Sequence, residues 1–340
     1  MEKYLENSES LQKFDSQKMY EIYDIWPQIA QKVYEEELSG IDFGDISHVV
    51  FAGMGGSGAI GDIFSAILSK TNIHVEVIKG YLLPKTVNQK SLVVTTSISG
   101  NTEETLSVLK AASNLGCNII AFSDGGKMQE YCEENRLNYR KIPMKHSPRA
   151  SFPIFLFSIL KVLKPFLPIE EKDILDSLKK LKELNEKISS RNFDKTNPAI
   201  SLAHEISGIP LIYYPSGLQA AAIRFKNSLQ ENAKMHVITE DVIEACHNGI
   251  VSWQKSSNVQ PILIQGNDDY VKTKERWQIL KEFFKKNNIN YLEIHSVEGS
   301  ILAKLINLIY LCDYATIYKA VFTEIDPTPV NSIDFVKKRL

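Results

Sequence analysis

A chain of 340 residues is long enough for two domains at about 150 residues each. Its 39 Lys and Arg against 41 Asp and Glu leave a formal charge of −2, which excludes the broad basic surface of a non-specific nucleic-acid binder. With 44% apolar and 24% charged residues it is an ordinary globular composition, neither disordered nor collagen-like.

The opening stretch MEKYLENSESLQKFDSQ mixes charges and lacks the apolar run of a secretion signal. Residues 10–38 carry Met19, Ile22, Ile25, Trp26 and Ile29 at helical spacing. Then the period changes: HVVFA (48–52) reads as a buried strand, GMGGSG as a glycine-rich turn and AIGDIFSAILSK as a helix. HVEVI (74–78) and SLVVTTS (91–97) are further strands, TEETLSVLKAASNLG is a helix with Gly116 at its end, and CNIIAFS (117–123) is a fourth strand. This alternation predicts a mainly parallel sheet with right-handed crossovers.

A linking region holds PRASFP (148–153), an apolar helix to about Leu163, and the amphipathic stretch IEEKDILDSLKKLKELNEKI. Strand and helix signals then return in IPLIYYPSG (209–217), LQAAAIRFKNSLQENAK, MHVIT, PILIQGND (261–268), YVKTKERWQILKEFFKKNN and INYLEI. The second half therefore reads as a diverged repeat of the first, with Ser57 answering to Gly217 and Asn101 to Asn267. The expected fold class is α/β: two lobes, each a mainly parallel sheet flanked by helices, divided into residues 1–150 and 151–340. Open sheets of this kind bind ligands beyond the carboxyl ends of their strands, so a site between the lobes is expected.

Cys117, Cys132, Cys246 and Cys312 form no C-x-x-C pair, which fits free thiols in a reduced compartment. The most apolar later segments are interrupted by Lys161, Lys164, Lys304 and Asp313. Together these features predict a soluble, cytoplasmic protein that binds neither membrane nor nucleic acid. Trp253, Tyr213, Tyr214 and Phe225 lack interleaved basic residues and read as core rather than a base-stacking platform. The seven histidines show no H-x-x-x-H or His/Cys spacing typical of zinc, so metal catalysis is not expected.

Gly53-Met54-Gly55-Gly56-Ser57-Gly58 fits G-x-G-x-x-G, and Glu76 stands near where a ribose-binding acid would lie, so a dinucleotide enzyme remains open on this loop alone. Ser97-Ile98-Ser99-Gly100-Asn101-Thr102, again between strand and helix, offers three hydroxyls and backbone N–H groups suited to one phosphate monoester. The bland alternative is helix capping, with Ser99 or Thr102 as the cap and a following Glu completing a capping box.

GMGGSG, SISGNTEET, the PRAS segment, ENAK, CHNGIVSW and the C-terminal DPTPVNSIDF together resemble the bifunctional phosphoglucose/phosphomannose isomerases over nearly the whole chain. These are double-domain members of the sugar isomerase (SIS) superfamily. The resemblance implies interconversion of glucose 6-phosphate, fructose 6-phosphate and mannose 6-phosphate through an enediolate, without metal or nicotinamide. It assigns the phosphate to Gly55, Gly56, Ser57, Ser97, Ser99 and Thr102. The second repeat lacks the Ser-x-Ser-x-x-Thr loop, so one phosphate site is expected.

Aldose–ketose isomerisation needs a base, an acid and a positive group. Glu231 in QENAK resembles the family base; without the motif it reads as a surface Glu near a helix end. His247 in CHNG resembles the histidine that assists ring opening, a task suited to imidazole near neutrality. In related isomerases that histidine reaches the neighbouring subunit, which implies a homodimer. The family pattern reads HNE where this chain has Gly249. Arg149 in SPRAS resembles the arginine that stabilises enediolate charge, against a surface salt bridge as the bland reading. Thr328 in IDPTPV matches the threonine that leaves room for rotation about C2–C3, against a turn residue between prolines. Lys337 matches a C-terminal-helix lysine, against a solvated basic end beside Lys338 and Arg339. A non-catalytic phosphosugar-sensing protein would keep the phosphate loop without needing Glu231 or His247.

Overall fold

The computed structural model describes residues 8–194 and 196–339; the first seven residues of the stretch read for a leader, and both outer ends of the expected domains, lie outside them. The chain forms two compact units, Ile25–Leu178 and the combination of Met1–Asp24 with Lys179–Leu340. This division differs from 150/151 in two ways. Helices α1 (Ser8–Phe14) and α2 (Met19–Asp24) pack with the C-terminal part of the chain, and α7 (Phe152–Leu163) packs with the N-terminal part. The reason is apolar complementarity: eleven of the twelve residues of α7 are buried, and Trp26 of α3 (Trp26–Glu35) stacks on its Phe152 at 6.1 Å.

In the first unit β1 (His48–Ala52), β2 (His74–Ile78), β3 (Ser91–Thr96), β4 (Asn118–Ser123) and β5 (Asn138–Lys141) make an all-parallel sheet in the order β2-β1-β3-β4-β5. Its central strands β1 and β3 are buried along their whole length because both faces are covered. Strand alternation sends Phe51 onto Phe64 of α4 (Gly55–Leu68), ring centroids 5.4 Å apart. It sends Val50 and Ala52 into a core with Leu106, Leu109 and Met128 from α5 (Glu103–Ser113) and α6 (Gly126–Glu134).

The second unit repeats the plan with four strands. After α8 (Glu171–Ile188) and α9 (Pro198–Glu205) come β6 (Ile209–Tyr214), α10 (Gln219–Asn232), β7 (Ile238–Asp241), α11 (Val242–Ala245), β8 (Val259–Gln265), α12 (Val271–Lys286) and β9 (Leu292–His295). The parallel order is β7-β6-β8-β9, matching β2-β1-β3-β4. Counting from the ends of equivalent strands corrects the expected pairing in detail: Gly217 stands where Gly55 does, and Tyr270 rather than Asn267 where Asn101 does. A short turn, Ser216–Leu218, precedes α10, so that helix starts later after its strand than α4 does after β1.

Helix α13 (Ile301–Phe322) is long and apolar enough to cross a bilayer, yet its apolar stretch is 89% buried within the protein. It is a core helix, packed by α9 and α10. The charges that interrupt it are answered internally. Asp313 accepts from Arg224 Nη2 at 2.6 Å and Ser228 Oγ at 2.6 Å, and Lys304 pairs with Asp268. All four cysteines are free. A short helix, α14 (Asn331–Lys337), follows.

Candidate active site

Both loops singled out in the first unit lie at the carboxyl ends of neighbouring strands β1 and β3. The glycines bring them together. A Cβ on Gly53 would lie 2.9 Å from the Thr96 carbonyl and 2.9 Å from Ser57 Cβ, and Gly55 has φ +52. At the start of α4 the N–H groups of Ser57 and Gly58 turn back to the Met54 carbonyl at 3.0 and 3.2 Å. No side chain caps the N–H groups of Gly55 and Gly56, which lie at the positive end of the helix.

The second loop settles the capping alternative. Thr102 occupies the N-cap position of α5 but its side chain makes no cap bond; its hydroxyl lies 2.9 Å from that of Ser97. Ser99 Oγ accepts from Asn101 N–H at 3.3 Å, not from the helix, and is exposed. Gly100 is required here, since at φ +70 a Cβ would fall 1.8 Å from the Gly125 carbonyl. Ser97 and Thr102 are therefore converging hydroxyls at an uncapped helix start, an arrangement that suits an anion.

Arg149 belongs to the same unit and is 5% exposed, so it is a buried residue and not a surface one. Its loop is held by Ser151, whose hydroxyl donates to the carbonyls of Lys145 and Ser147 at 2.8 and 2.9 Å, and by Trp26 Nε1 donating to Ala150 O at 2.9 Å. Lys79 was not foreseen. Its stem packs over Gly58 and its ammonium lies 2.6 Å from Asp62, so its positive charge is already balanced. Burial outweighs that ammonium and leaves the Asp62 carboxyl raised.

Glu76 does not serve the glycine loop. Its Oε1 accepts from Thr86 Oγ1 at 3.0 Å and lies 3.3 Å from Nε2 of His48, the first residue of β1, at the opposite end of the sheet. The dinucleotide reading loses its ribose ligand.

In the second unit Glu231 is the penultimate residue of α10 and half-buried. Lys234, at φ +56, ends that turn and donates from Nζ to the carbonyls of Glu231 at 2.5 Å, Pro329 at 2.8 Å and Pro327 at 3.3 Å. This lysine of the ENAK segment, given no role from sequence, ties the Thr328 turn to the Glu231 turn. Thr328 N–H donates to Asp326 Oδ1 at 2.9 Å, which fixes the turn between the two prolines. His247 follows α11, is exposed, and its imidazole has no hydrogen bond among the described residues. Lys337 ends α14 in solvent, as the solvated basic end would.

Gly249 has a physical counterpart. A Cβ there would lie 2.7 Å from both carboxylate oxygens of Glu240, so Glu240 already fills this space with negative charge. Burial, then Glu244 and Asp241, push the Glu240 carboxyl above its ordinary range. The aromatic residues are core as expected: Tyr213, Tyr214 and Phe225 are buried, and Trp253 Nε1 donates to Tyr213 Oη at 3.0 Å.

Comparison with known proteins agrees with the double plan. Residues 43–159 match the SIS domain family, and residues 195–340 match the bacterial phospho-glucose isomerase C-terminal SIS domain. The chain is 33% identical over 331 residues to a bifunctional phosphoglucose/phosphomannose isomerase of Caldicellulosiruptor bescii, covering 94% of this chain and 97% of that one. It is 27% identical over 328 residues to a protein of the same description from Aquifex aeolicus, covering 95% and 99%. A solved structure from Thermus thermophilus, described as a hypothetical protein, shares the fold with a TM-score of 0.73 at 13% identity, covering 98% of this chain and 93% of that one.

Proposed function

The chain belongs to the bifunctional phosphoglucose/phosphomannose isomerase family and is an aldose–ketose isomerase of phosphosugars; from that premise we propose how its own residues divide the work. Glucose 6-phosphate, fructose 6-phosphate and mannose 6-phosphate are the substrates. The substrate phosphate is taken by the N–H groups of Gly55 and Gly56 with the hydroxyls of Ser57, Ser97, Ser99 and Thr102. The observation that carries this assignment is the Ser97–Thr102 hydroxyl pair at 2.9 Å, beside a helix start that no side chain caps.

His247 assists ring opening by moving a proton between the ring oxygen and the anomeric hydroxyl; its exposed, unengaged imidazole supports that role. Glu231 then takes the proton from C2, an enediolate forms across C1 and C2, and the same carboxyl returns the proton to C1. Arg149 stabilises the negative charge on the enediolate oxygens, and its buried, always-charged guanidinium is suited to this. Thr328, held beside the Glu231 turn by Lys234, leaves room for rotation about C2–C3, so either face of C2 can be protonated and both epimers form. Lys337 is assigned no proton-transfer step. The sequence of steps requires neither metal nor nicotinamide.

The active form is a cytoplasmic homodimer in which His247 serves the neighbouring subunit. Exposed Ile333, Phe335 and Val336 on α14 and four free thiols support the dimer and the reduced compartment respectively. Sedimentation equilibrium at micromolar concentration tests the dimer. The functional test is incubation of purified protein with fructose 6-phosphate, with and without EDTA, resolving the two aldose products. Glucose and mannose 6-phosphates at equal rates in both conditions are expected; absence of both products overturns the assignment.

A further inference from the structure

Far from the phosphate loops, at the amino ends of β1 and β2, parallel pairing assembles three side chains of metal-binding type. The register sets His48 against His74 and Val50 against Glu76. Alternation along each strand then places His48, His74 and Glu76 on one face of the sheet. The two imidazoles lie side by side, centroids 4.9 Å apart, and both Nε2 atoms face one carboxylate oxygen: His48 Nε2 and His74 Nε2 are each 3.3 Å from Glu76 Oε1. All three donor atoms fall within 4.8 Å of one another.

We propose that His48, His74 and Glu76 form a binding site for a divalent transition ion of the zinc class, held by two imidazole nitrogens and one carboxylate oxygen. Three observations point this way. First, donor atoms bound at about 2.0–2.1 Å in a tetrahedral shell are separated from one another by about 3.3–3.4 Å, which is the spacing already present on two sides of the triangle. Second, His48 is 5% exposed and its buried Nε2 makes no well-directed hydrogen bond, although Glu76 Oε1 lies 3.3 Å away, an arrangement that costs free energy unless a further group engages the ring nitrogen. Third, the outer contacts are those an ion site uses. His48 Nδ1 lies 3.1 Å from Ser91 Oγ, so an Nδ1–H donated there leaves the Nε2 lone pair for the metal, and Thr86 Oγ1 orients the carboxylate. Three protein ligands leave the remaining position to water, on the side where His74 is exposed. Neutral imidazole with one carboxylate favours zinc over magnesium or calcium.

Such an ion would clamp the edge strand β2 to β1. It would lie roughly 16 Å from the glycine loop, counting five residues of strand at about 3.3 Å each, and would therefore act on the stability of the lobe rather than on turnover.

The test uses the full chain, stripped with EDTA and then freed of it. Zinc is titrated by competition with a chromophoric chelator, and cobalt is used as a spectroscopic probe. One zinc per chain at micromolar affinity or tighter is expected, with visible cobalt absorption of a four- or five-coordinate site and a higher melting temperature on zinc addition. His74→Ala and Glu76→Gln alter exposed or half-exposed positions, so they remain folded; each should weaken zinc binding more than the roughly 10–100-fold that loss of an orienting partner costs. Ser91→Ala, which removes such a partner of His48, should fall within that range. Zinc affinity unchanged in both His74→Ala and Glu76→Gln, or wild-type affinity no tighter than millimolar, overturns the proposal.

Discussion

The two lobes share strand order and helix placement, yet their equivalent loops treat an anion in opposite ways. After β3 the chain offers Ser97, Ser99 and Thr102 at a helix start whose N-cap side chain makes no cap bond. After β8 the same stretch carries Asp268 and Asp269. Asp269 Oδ2 accepts from Gly266 N–H and from Trp277 Nε1, both at 3.0 Å, and the hydrogen bond from Lys304 holds Asp268 below the usual carboxylate range. One loop leaves donors that would suit the proposed phosphate; the other has engaged its donors with its own carboxylates, whose negative charge would disfavour one. On the proposed phosphate assignment, one fold repeated twice would keep a single phosphate site through a few side chains at the strand ends.

The C-terminal helices of the lobes differ in the same spirit. In α7 the buried residues are apolar apart from Ser158, whereas α13 buries Asp313, which Arg224, Ser228 and Tyr23 satisfy.

The comparison can be broken most severely at the proposed chemistry of the second lobe. Glu231→Gln should reduce kcat by about 10²–10⁴-fold, the usual contribution of a positioned base, with the KM for fructose 6-phosphate within about threefold of wild type. Steady-state rates decide it, and full activity removes Glu231 from the base role. Next in size, Arg224→Met leaves Asp313 buried without its cation and should cost about 3–5 kcal/mol in denaturant unfolding, whereas Arg224→Met with Asp313→Leu should recover most of that loss.

In the first lobe Ser99→Asp installs the carboxylate that the second lobe carries at the equivalent position, Asp268. Loss of one charge-assisted hydrogen bond, about 1.5–3 kcal/mol, predicts a KM raised roughly 10- to 100-fold, with kcat changed far less. An unaltered KM would sink the phosphate assignment. Smaller still is a paired glycine test by chemical denaturation. Gly55→Ala, at φ +52, should cost about 1 kcal/mol or more, while Gly217→Ala, whose Cβ would meet nothing within 4 Å, should stay within about 0.5 kcal/mol.

The smallest expected effect concerns Glu240, whose carboxyl is raised in the folded protein. The native state then binds that proton more tightly than the unfolded chain, so ionised Glu240 weighs against folding at neutral pH, and the penalty fades as pH falls through the ordinary carboxylate range. Glu240→Gln should therefore raise the melting temperature at pH 7–8 and lose this advantage near pH 4. Gly249→Glu, which adds a second carboxylate to the same space, should act in the opposite direction.

Much of this was written locally in the chain. Strand periodicity, the GMGGSG and SISGNTEET turns, and the repeat of their order specify two parallel α/β lobes, because burial on both faces and right-handed crossovers leave few other arrangements. The motif set, read as a family resemblance, marked Glu231, His247 and Arg149 as candidates. Tertiary structure decided the rest. Whether Thr102 caps its helix or turns to Ser97, whether Arg149 is at the surface or buried, and which lobe owns α1, α2 and α7 depend on packing between distant segments. Lys234 acquired a role only when Pro327 and Pro329 came within reach of its ammonium. The cluster of His48, His74 and Glu76 shows no metal-ligand spacing along the sequence because its ligands meet across parallel strands. Hydrogen-bond register between strands, a property of the folded sheet, sets that proximity, and no spacing along one segment encodes it.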